Sequence, residues 1–256
     1  MLADMFDLKG RVAVVTGGNG GIGLGMARGL AAAGARVVVA ARNRDKSRRA
    51  VGELAELGAE AVAIEVDVAD EASTAALVQE TVTRLGRLDV LVNNAGTNIR
   101  KPPQDYSLAE WRQVLDTNLT SAFLLSRAAY PVMKRQGRGK LINIGSMMSI
   151  FGGWFAAPYG SSKGGIVQLT KALASAWARD NIQVNAVLPG WIDTDLTARA
   201  REQIAGLNDN VLKRTPAGRW GVPDDLAGVA VFLASSASDF VTGTAIPVDG
   251  GYSIQG

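Results

Sequence analysis

Tyr159 and Lys163 stand four residues apart, a spacing that puts both side chains on one helix face within reach of a single substrate atom. The chemistry they suit is proton transfer. A phenol with a reference pKa near ~10 must fall by about two units to act near neutrality, a differential of roughly 2.7 kcal/mol. An ammonium about 4 Å away supplies roughly 4 kcal/mol at an effective dielectric of 20, and the positive helix N-terminus acts in the same direction. Tyr130 and Lys134 share the spacing, but Pro131 lies beside them and no serine closes a preceding strand, so that pair is assigned to helix packing. The sequence contains no histidine and no cysteine. That removes every Ser-His-Asp triad, imidazole or thiolate metal ligation, disulfides and a cysteine nucleophile, and leaves Tyr, Lys, Asp and Glu to move protons. No metal site is expected.

What must position these groups is a repeated strand and helix framework. Continuous β-branched runs at 12–15, 37–40, 61–66, 90–92, 141–144 and 184–188 alternate with helical lengths at 21–33, 45–57, 71–85, 118–135 and 158–179. Continuous rather than alternating apolar strands indicate a parallel sheet covered on both faces. A last strand is expected at 245–248, before Asp249-Gly250-Gly251. The fold class is therefore α/β, a single doubly wound (Rossmann) domain over 1–256 with a mostly parallel seven-stranded sheet flanked by helices. The polar stretch 191–219 lacks a clear period and reads as a lid over the substrate.

Gly18, Gly20 and Gly23 fit G-x-G-x-x-G directly after the first strand and at the mouth of the first helix. In that context glycines let a pyrophosphate approach backbone N–H groups where the helix dipole favours anions; the plain alternative is a glycine-rich turn without a ligand. Ser146, at a strand's carboxyl end, would put its hydroxyl in the crevice where doubly wound sheets bind ligands, though a turn serine reads equally. Asn118 reads as a helix cap. Arg42, Arg44, Lys46, Arg48 and Arg49 form the densest charge cluster, mostly a solvated helix face. Arg42 differs, because it stands where an acidic residue would read the ribose 2′-hydroxyl about twenty residues past the glycines. With Ala41 it removes the repulsion of a 2′-phosphate and adds a guanidinium, which points to NADP(H) in preference to NAD(H); stacking over adenine would serve NAD(H) equally.

In a second register the glycines read Thr16-Gly17-x-x-x-Gly21-Ile22-Gly23, followed by Asn93-Asn94-Ala95-Gly96, Asn118, Ser146, Tyr159, Lys163 and Pro189-Gly190 with Thr194. In order and spacing, over essentially the whole chain, this resembles the short-chain dehydrogenase/reductase family. Pro216-Ala217-Gly218-Arg219-Trp220-Gly221 and the Asp249-Gly250-Gly251 ending most resemble its gluconate and 2-deoxygluconate dehydrogenases, a pattern that 3-oxoacyl-carrier reductases largely share. The resemblance implies hydride transfer between a nicotinamide and a secondary alcohol or ketone: a sugar acid, polyol or 3-oxoacyl substrate. Ser146 would polarise the carbonyl, Tyr159 would exchange the proton, Lys163 would tune Tyr159 and hold the nicotinamide ribose, and Asn118 would anchor a water in the relay. It further implies cofactor contacts from Gly17, Asn19, Gly21, Ile22 and Gly23, and from Asn94, Ala95 and Gly96. Asp67 and Val68 at the end of the third strand would flank the adenine, and Pro189, Gly190, Ile192 and Thr194 would complete the site. Met147, Trp154 and Trp191 flank these motifs and are candidate substrate contacts. Arg100 could pair with a substrate carboxylate or be a surface arginine beside Lys101. A catalytically silent dinucleotide-binding sensor is the alternative function.

The net charge of +3 is too small to argue for a nucleic-acid partner. The longest uncharged run, 141–162, is long enough to span a bilayer but contains Pro158, Asn143 and several glycines and serines, so it reads as strand, loop and helix start. The segment from Met1 to Asp7 is acidic and lacks the basic region of a signal peptide. A cytoplasmic protein with a small-molecule partner and no membrane partner is expected. Charged residues make up 20%, below the typical figure of about 25%. With the resemblance, this suggests a homotetramer built through the helices at 118–135 and 158–179; a dimer through the same helices is the alternative.

Overall fold

The computed structural model describes residues 3–255; Met1, Leu2 and Gly256, which the expected domain and the N-terminal reading include, lie outside the described residues. The β-branched runs form β1 (Val12–Thr16), β2 (Arg36–Ala40), β3 (Ala61–Ile64), β4 (Val90–Asn93), β5 (Gly139–Ile144), β6 (Ile182–Pro189) and β7 (Ala245–Val248). They make one seven-stranded sheet in the order β3-β2-β1-β4-β5-β6-β7, with every pairing parallel. Successive side chains leave on opposite faces, which is why the runs are apolar throughout. Ala13, Val15, Val37 and Val39 pack with Met26 and Leu30 of α1 (Gly21–Ala32) and Leu233 of α9 (Ala227–Ala234). Val12, Val14, Val38 and Leu91 pack on the other face with Leu77 of α3 (Glu71–Leu85), Leu125 of α5 (Ser121–Gln136) and Ala174 of α6 (Ala157–Trp177).

The chain runs outward from β1 to β3 and then restarts at β4 on the other side of β1. This reversal opens a crevice at the carboxyl ends of β1 and β4, where doubly wound sheets bind ligands.

Three local expectations are corrected. β3 stops at Ile64 rather than Val66, so Asp67 and Val68 lie in the loop beyond it. Asn118 does not open a helix. The helical run begins with α4 (Leu108–Leu115), where Ser107 and Glu110 form a capping box, and Asn118 sits inside a π-helical turn, Asp116–Thr120, that joins α4 to α5. The stretch 191–219 contains α7 (Asp195–Gln203) and α8 (Leu207–Arg214). Their apolar residues Ala200, Leu207 and Val211 close on Trp191 and Trp220 as a small separate core, too few in number to show a period in the sequence.

At the opposite end of the sheet, Asp89 fixes the amino end of β4. Its carboxylate accepts bonds from Arg87 (2.7 Å twice), Arg11 (3.2 Å) and the backbone N–H of Val12 (3.0 Å), and it is 3% exposed. Burial pushes its pKa up, but the Arg87 bonds, the Val12 N–H and both guanidinium charges bring it below the ordinary carboxylate value. A depressed folded-state pKa gives stability that is present above the unfolded value and lost as pH falls through the folded one. Asp89→Asn should cost about 2 kcal/mol at neutral pH, discounted for the part-exposed arginines, in urea unfolding. The difference from wild type should shrink below about pH 4; a difference independent of pH would refute the ionic contribution.

Candidate active site

The turn after β1 is shaped for an anion. α1 starts at Gly21 with neither a capping side chain nor an acid in its first turn, so its leading N–H groups have no side-chain acceptor supplied by the turn. Gly21 has φ +51°, a conformation that favours glycine, and a Cβ at Gly23 would come within 2.3 Å of the Gly17 carbonyl oxygen. These features fit a dinucleotide pyrophosphate on the α1 terminus, with the third glycine supplying close packing rather than contact.

Thr16 and Asn94 lock this turn to β4. The Thr16 hydroxyl accepts from the backbone N–H groups of Asn94 (3.0 Å) and Ala95 (3.1 Å) and donates to the Val92 carbonyl (3.1 Å). The Asn94 amide donates to the carbonyls of Thr16 (2.8 Å) and Gly17 (3.3 Å). Gly17, Asn19, Gly21 and Ile22 from this turn, and Asn94, Ala95 and Gly96 from the end of β4, line one cavity. Pro189, Gly190, Ile192 and Thr194 line it from the end of β6. Arg42 is exposed, and neither it nor Asp67 or Val68 is part of that wall.

Ser146, Tyr159 and Lys163 meet in the same cavity. Ser146 follows β5 in extended backbone and opens a short 3-10 turn, where its hydroxyl accepts from the Met148 N–H (3.1 Å). The Ser149 hydroxyl accepts from the Ser146 N–H (3.1 Å) and donates to the Lys163 carbonyl (2.7 Å), which ties the turn to α6. Pro158 sits in the first turn of α6, where its missing N–H costs nothing. Lys163 is 4% exposed; its ammonium donates to the Ile144 carbonyl (2.6 Å) and stands 5.6 Å from the centre of the Tyr159 ring.

The electrostatic balance differs from the expectation. Burial pushes the Tyr159 phenol above its ordinary pKa, against the opposing hydrogen bond of Ser146 and the charge of Arg100. Lys163, committed to the Ile144 carbonyl, does not reverse this shift. Its own pKa is lowered by burial to about 8. The protonated phenol is thus the favoured form, as a proton donor requires, and the lysine can change charge close to neutrality.

Asn118 is a brace behind the site. Its carbonyl accepts from the Thr97 N–H (2.8 Å), while its amide donates to the Thr97 carbonyl (2.9 Å) and the Ser162 hydroxyl (3.1 Å). The side chain therefore joins the loop after β4 to α6 and does not line the cavity. Tyr130 is likewise structural: it stacks on Trp177 and bonds Asp180 (2.7 Å).

At the open end, Met147, Trp191 and Arg100 line the cavity. Trp154 is 69% exposed, packs edge-on against Phe155 and is not in the wall; its neighbour Phe155 is. The two consecutive aromatics could not be told apart by spacing, because no regular element fixes which one faces inward. Arg100 bonds the Gln203 side chain and the Leu196 carbonyl, both at 3.2 Å, and meets no carboxylate among the described residues. Asn98, unmarked in the sequence because it lies in an irregular loop, lines the wall with a buried carbonyl oxygen that has no partner. Lys46, read as part of a solvated face, also reaches the wall. Its position three residues past the Asn43 cap of α2 (Arg44–Glu56) was the available signal.

A family model described as enoyl-(acyl carrier protein) reductase matches residues 17–253. The chain is 42% identical to a 2-dehydro-3-deoxy-D-gluconate 5-dehydrogenase of Formosa agariphila, with 98% of this chain and 96% of that protein covered. It is 39% identical to a gluconate 5-dehydrogenase of Gluconobacter oxydans, with 98% of each covered. A crystal structure of a gluconate 5-dehydrogenase from Burkholderia cenocepacia in complex with NADP and tartrate superposes with a TM-score of 0.95 at 41% identity, covering 100% of both chains. A likeness this complete in both sequence and fold makes the chain a member of the short-chain dehydrogenase/reductase family, an oxidoreductase acting between alcohol and carbonyl groups.

Proposed function

We propose that the chain oxidises and reduces a sugar acid at a secondary alcohol or ketone, with NADP(H) preferred and NAD(H) accepted. The observation that carries the substrate class is Arg100, a half-buried guanidinium without a carboxylate partner among the described residues, in the cavity that holds Ser146 and Tyr159. A substrate carboxylate would supply the missing anion, and the Asn98 side-chain oxygen, which has no partner, would accept a bond from a sugar hydroxyl. The sugar acids in the names of the relatives, 2-dehydro-3-deoxy-D-gluconate and gluconate, belong to this class. A silent sensor would keep the glycine turn without needing Ser146, Tyr159 and Lys163 gathered in one cavity.

The bound nicotinamide would supply or accept the hydride. In the reducing direction Ser146 holds the carbonyl oxygen by its hydroxyl and Tyr159 donates its proton to that oxygen. The phenolate left behind is stabilised by the charge of Arg100, with the Lys163 amine 5.6 Å from the ring centre. In the oxidising direction the same groups withdraw the alcohol proton. Residues 191–219 act as a lid, consistent with side-chain bonds from Arg100 to α7 across the cleft.

Tyr159→Phe should lower kcat by about 10²–10⁴-fold and leave the cofactor Kd near wild type. Lys163→Met should weaken cofactor binding yet stabilise the ligand-free protein by up to roughly 3 kcal/mol. The sign follows from a folded-state pKa of about 8 against an ordinary 10.5. The cost of charging the buried amine is full below the folded value. Between the two values the unfolded chain holds the extra proton, so wild-type stability rises with pH and the advantage of Lys163→Met fades. Measured unfolding free energies without that convergence would remove Lys163 as a buried, titrating amine.

Steady-state kinetics with sugar acids and neutral polyols, each with NADPH or NADH, test the substrate and cofactor together. Arg100→Ala should raise KM for the acids selectively, and kcat/KM should favour NADPH in wild type. Equal losses on acids and polyols would sink the carboxylate role, and a preference for NADH would sink the cofactor preference.

We also propose a cytoplasmic homotetramer. Phe123 on α5 (42% exposed) and Phe240 (104%) leave large apolar groups uncovered on separate parts of the chain, consistent with two kinds of subunit contact. Among the described residues no helix is long and apolar enough to cross a membrane. Light scattering at micromolar concentration should give a tetramer; a stable monomer would refute the assembly.

A further inference from the structure

Of the five clustered basic residues after β2, Arg44 pairs with Glu65 and Arg48 with Asp45, both away from the cavity wall. Lys46 behaves differently. Asn43 caps α2 by accepting from the Lys46 N–H (2.9 Å), and this fixes the backbone from which the side chain departs. The side chain then crosses the glycine turn: a Cβ at Gly20 would lie 2.9 Å from both its Cε and its Nζ. Beyond Gly20 the ammonium meets Asp195 Oδ2 at 3.0 Å, in the first turn of α7. Thr194, the cap of α7, packs beside it, with its Cγ2 3.2 Å from a Cβ at Gly21. Lys46, Thr194 and Asp195 thus form a strap across the turn, closed by an ion pair.

The strap crosses the turn at Gly20 and Gly21, where α1 begins and an anion would be favoured. Its ammonium is the cation in the cavity wall at that turn, and its present partner is a carboxylate. The Asp195 carboxyl is held below its ordinary pKa by its bond to Lys46, which favours the carboxylate. Both members are accessible, with side-chain exposures of 40% for Lys46 and 86% for Asp195. An accessible ion pair of this kind is weak and exchangeable, and a phosphate carries as much charge as the carboxylate or more.

We propose that Lys46 is a phosphate ligand of the dinucleotide cofactor, held in reserve by Asp195, and that cofactor binding exchanges the carboxylate for a phosphate oxygen. This rests on the dinucleotide dependence proposed above and adds a residue of α2 to the cofactor contacts expected from the sequence. The exchange moves no covalent bond and no proton. It makes Asp195 a competitor of the cofactor, so removing the carboxylate charge strengthens binding rather than weakening it.

The test is a double-mutant cycle on the intact protein, read as the Kd of NADPH and of NADH by fluorescence titration at low and high salt. Lys46→Met should raise the NADPH Kd by about 10-fold or more at low salt, with the loss shrinking as salt rises. Asp195→Asn should lower that Kd several-fold, and in the Lys46→Met background it should change it less than about twofold. Equal losses for NADPH and NADH in Lys46→Met would assign the contact to the pyrophosphate, and a loss confined to NADPH to the 2′-phosphate. The proposal is overturned if Lys46→Met changes neither Kd by more than about twofold, or if Asp195→Asn keeps its full effect without Lys46. Failure of the wild-type protein to bind either dinucleotide would instead remove the underlying cofactor reading, and this proposal with it. Unfolding midpoints near wild type for both variants, expected because both side chains are exposed, confirm that binding rather than folding is measured.

Discussion

Two side chains hold the carboxyl ends of β1 and β4 together, and the geometry of the cleft depends on that joint. Parallel strands that diverge at a reversal of strand order leave their last backbone groups without ladder partners, and buried polar groups left unpaired are costly. Thr16 meets the N–H groups of Asn94 and Ala95 on one side, and Asn94 meets the carbonyls of Thr16 and Gly17 on the other. The same bonds fix where the glycine turn leaves β1 and where Gly96 leaves β4. Since a Cβ at Gly23 would strike both Gly17 and Asn94, the joint also dictates a glycine one turn away. The cofactor end and the catalytic end of the cavity are therefore set by one piece of hydrogen bonding.

Proton transfer without histidine sets a second constraint. A phenol and an amine must be partly withdrawn from water to have useful properties, and burial acts on them in opposite directions: it favours the neutral phenol and the neutral amine. Here Tyr159 is pushed above its ordinary value and Lys163 down to about 8, so two values that are nearly equal for the free groups move apart. The strain of a buried ammonium falls on the upper end of α6, beside Ile144. Stabilising charge is concentrated instead around Asp89, at the lower end of the sheet, where two arginines and a backbone N–H surround one carboxylate. The sheet separates the region that supplies stability from the region that expends it on chemistry.

The strands, their parallel order and the Ser146, Tyr159 and Lys163 set were legible because each depends on local sequence: continuous β-branching, a strand-to-helix glycine turn, and an i to i+4 spacing behind a proline. What escaped depends on which way a side chain points across space. In the sequence Asn118 reads as a helix start, yet the Ser107 and Glu110 capping box begins that helical run earlier and a π-helical turn carries Asn118 inward. Trp154 and Phe155 are adjacent and equally aromatic, and only the loop's path decides that Phe155 faces the cavity. Lys46 was hidden among arginines of the same charge, because the partner that distinguishes it, Asp195, is far away in sequence.

The α7 and α8 segment shows how these pieces combine. It packs on its own small core of Ala200, Leu207 and Val211, so its internal order does not require the cleft to be closed. Two of its side-chain ties across the cleft come from cations: Lys46 to Asp195, and Arg100 to Leu196 and Gln203. Under the proposed roles, each cation is also wanted by an anionic ligand, a cofactor phosphate at one end and a substrate carboxylate at the other. A ligand can shift a segment's position only through a difference in its affinity for the two positions. Competition for these cations provides that difference at both ends. Binding of either anion would loosen one tie, lowering the cost of displacing the segment for the other, and linkage makes this coupling equal in both directions. If residues 191–219 act as the proposed lid, cofactor phosphate and substrate carboxylate would then be coupled through it, each by way of a different cation.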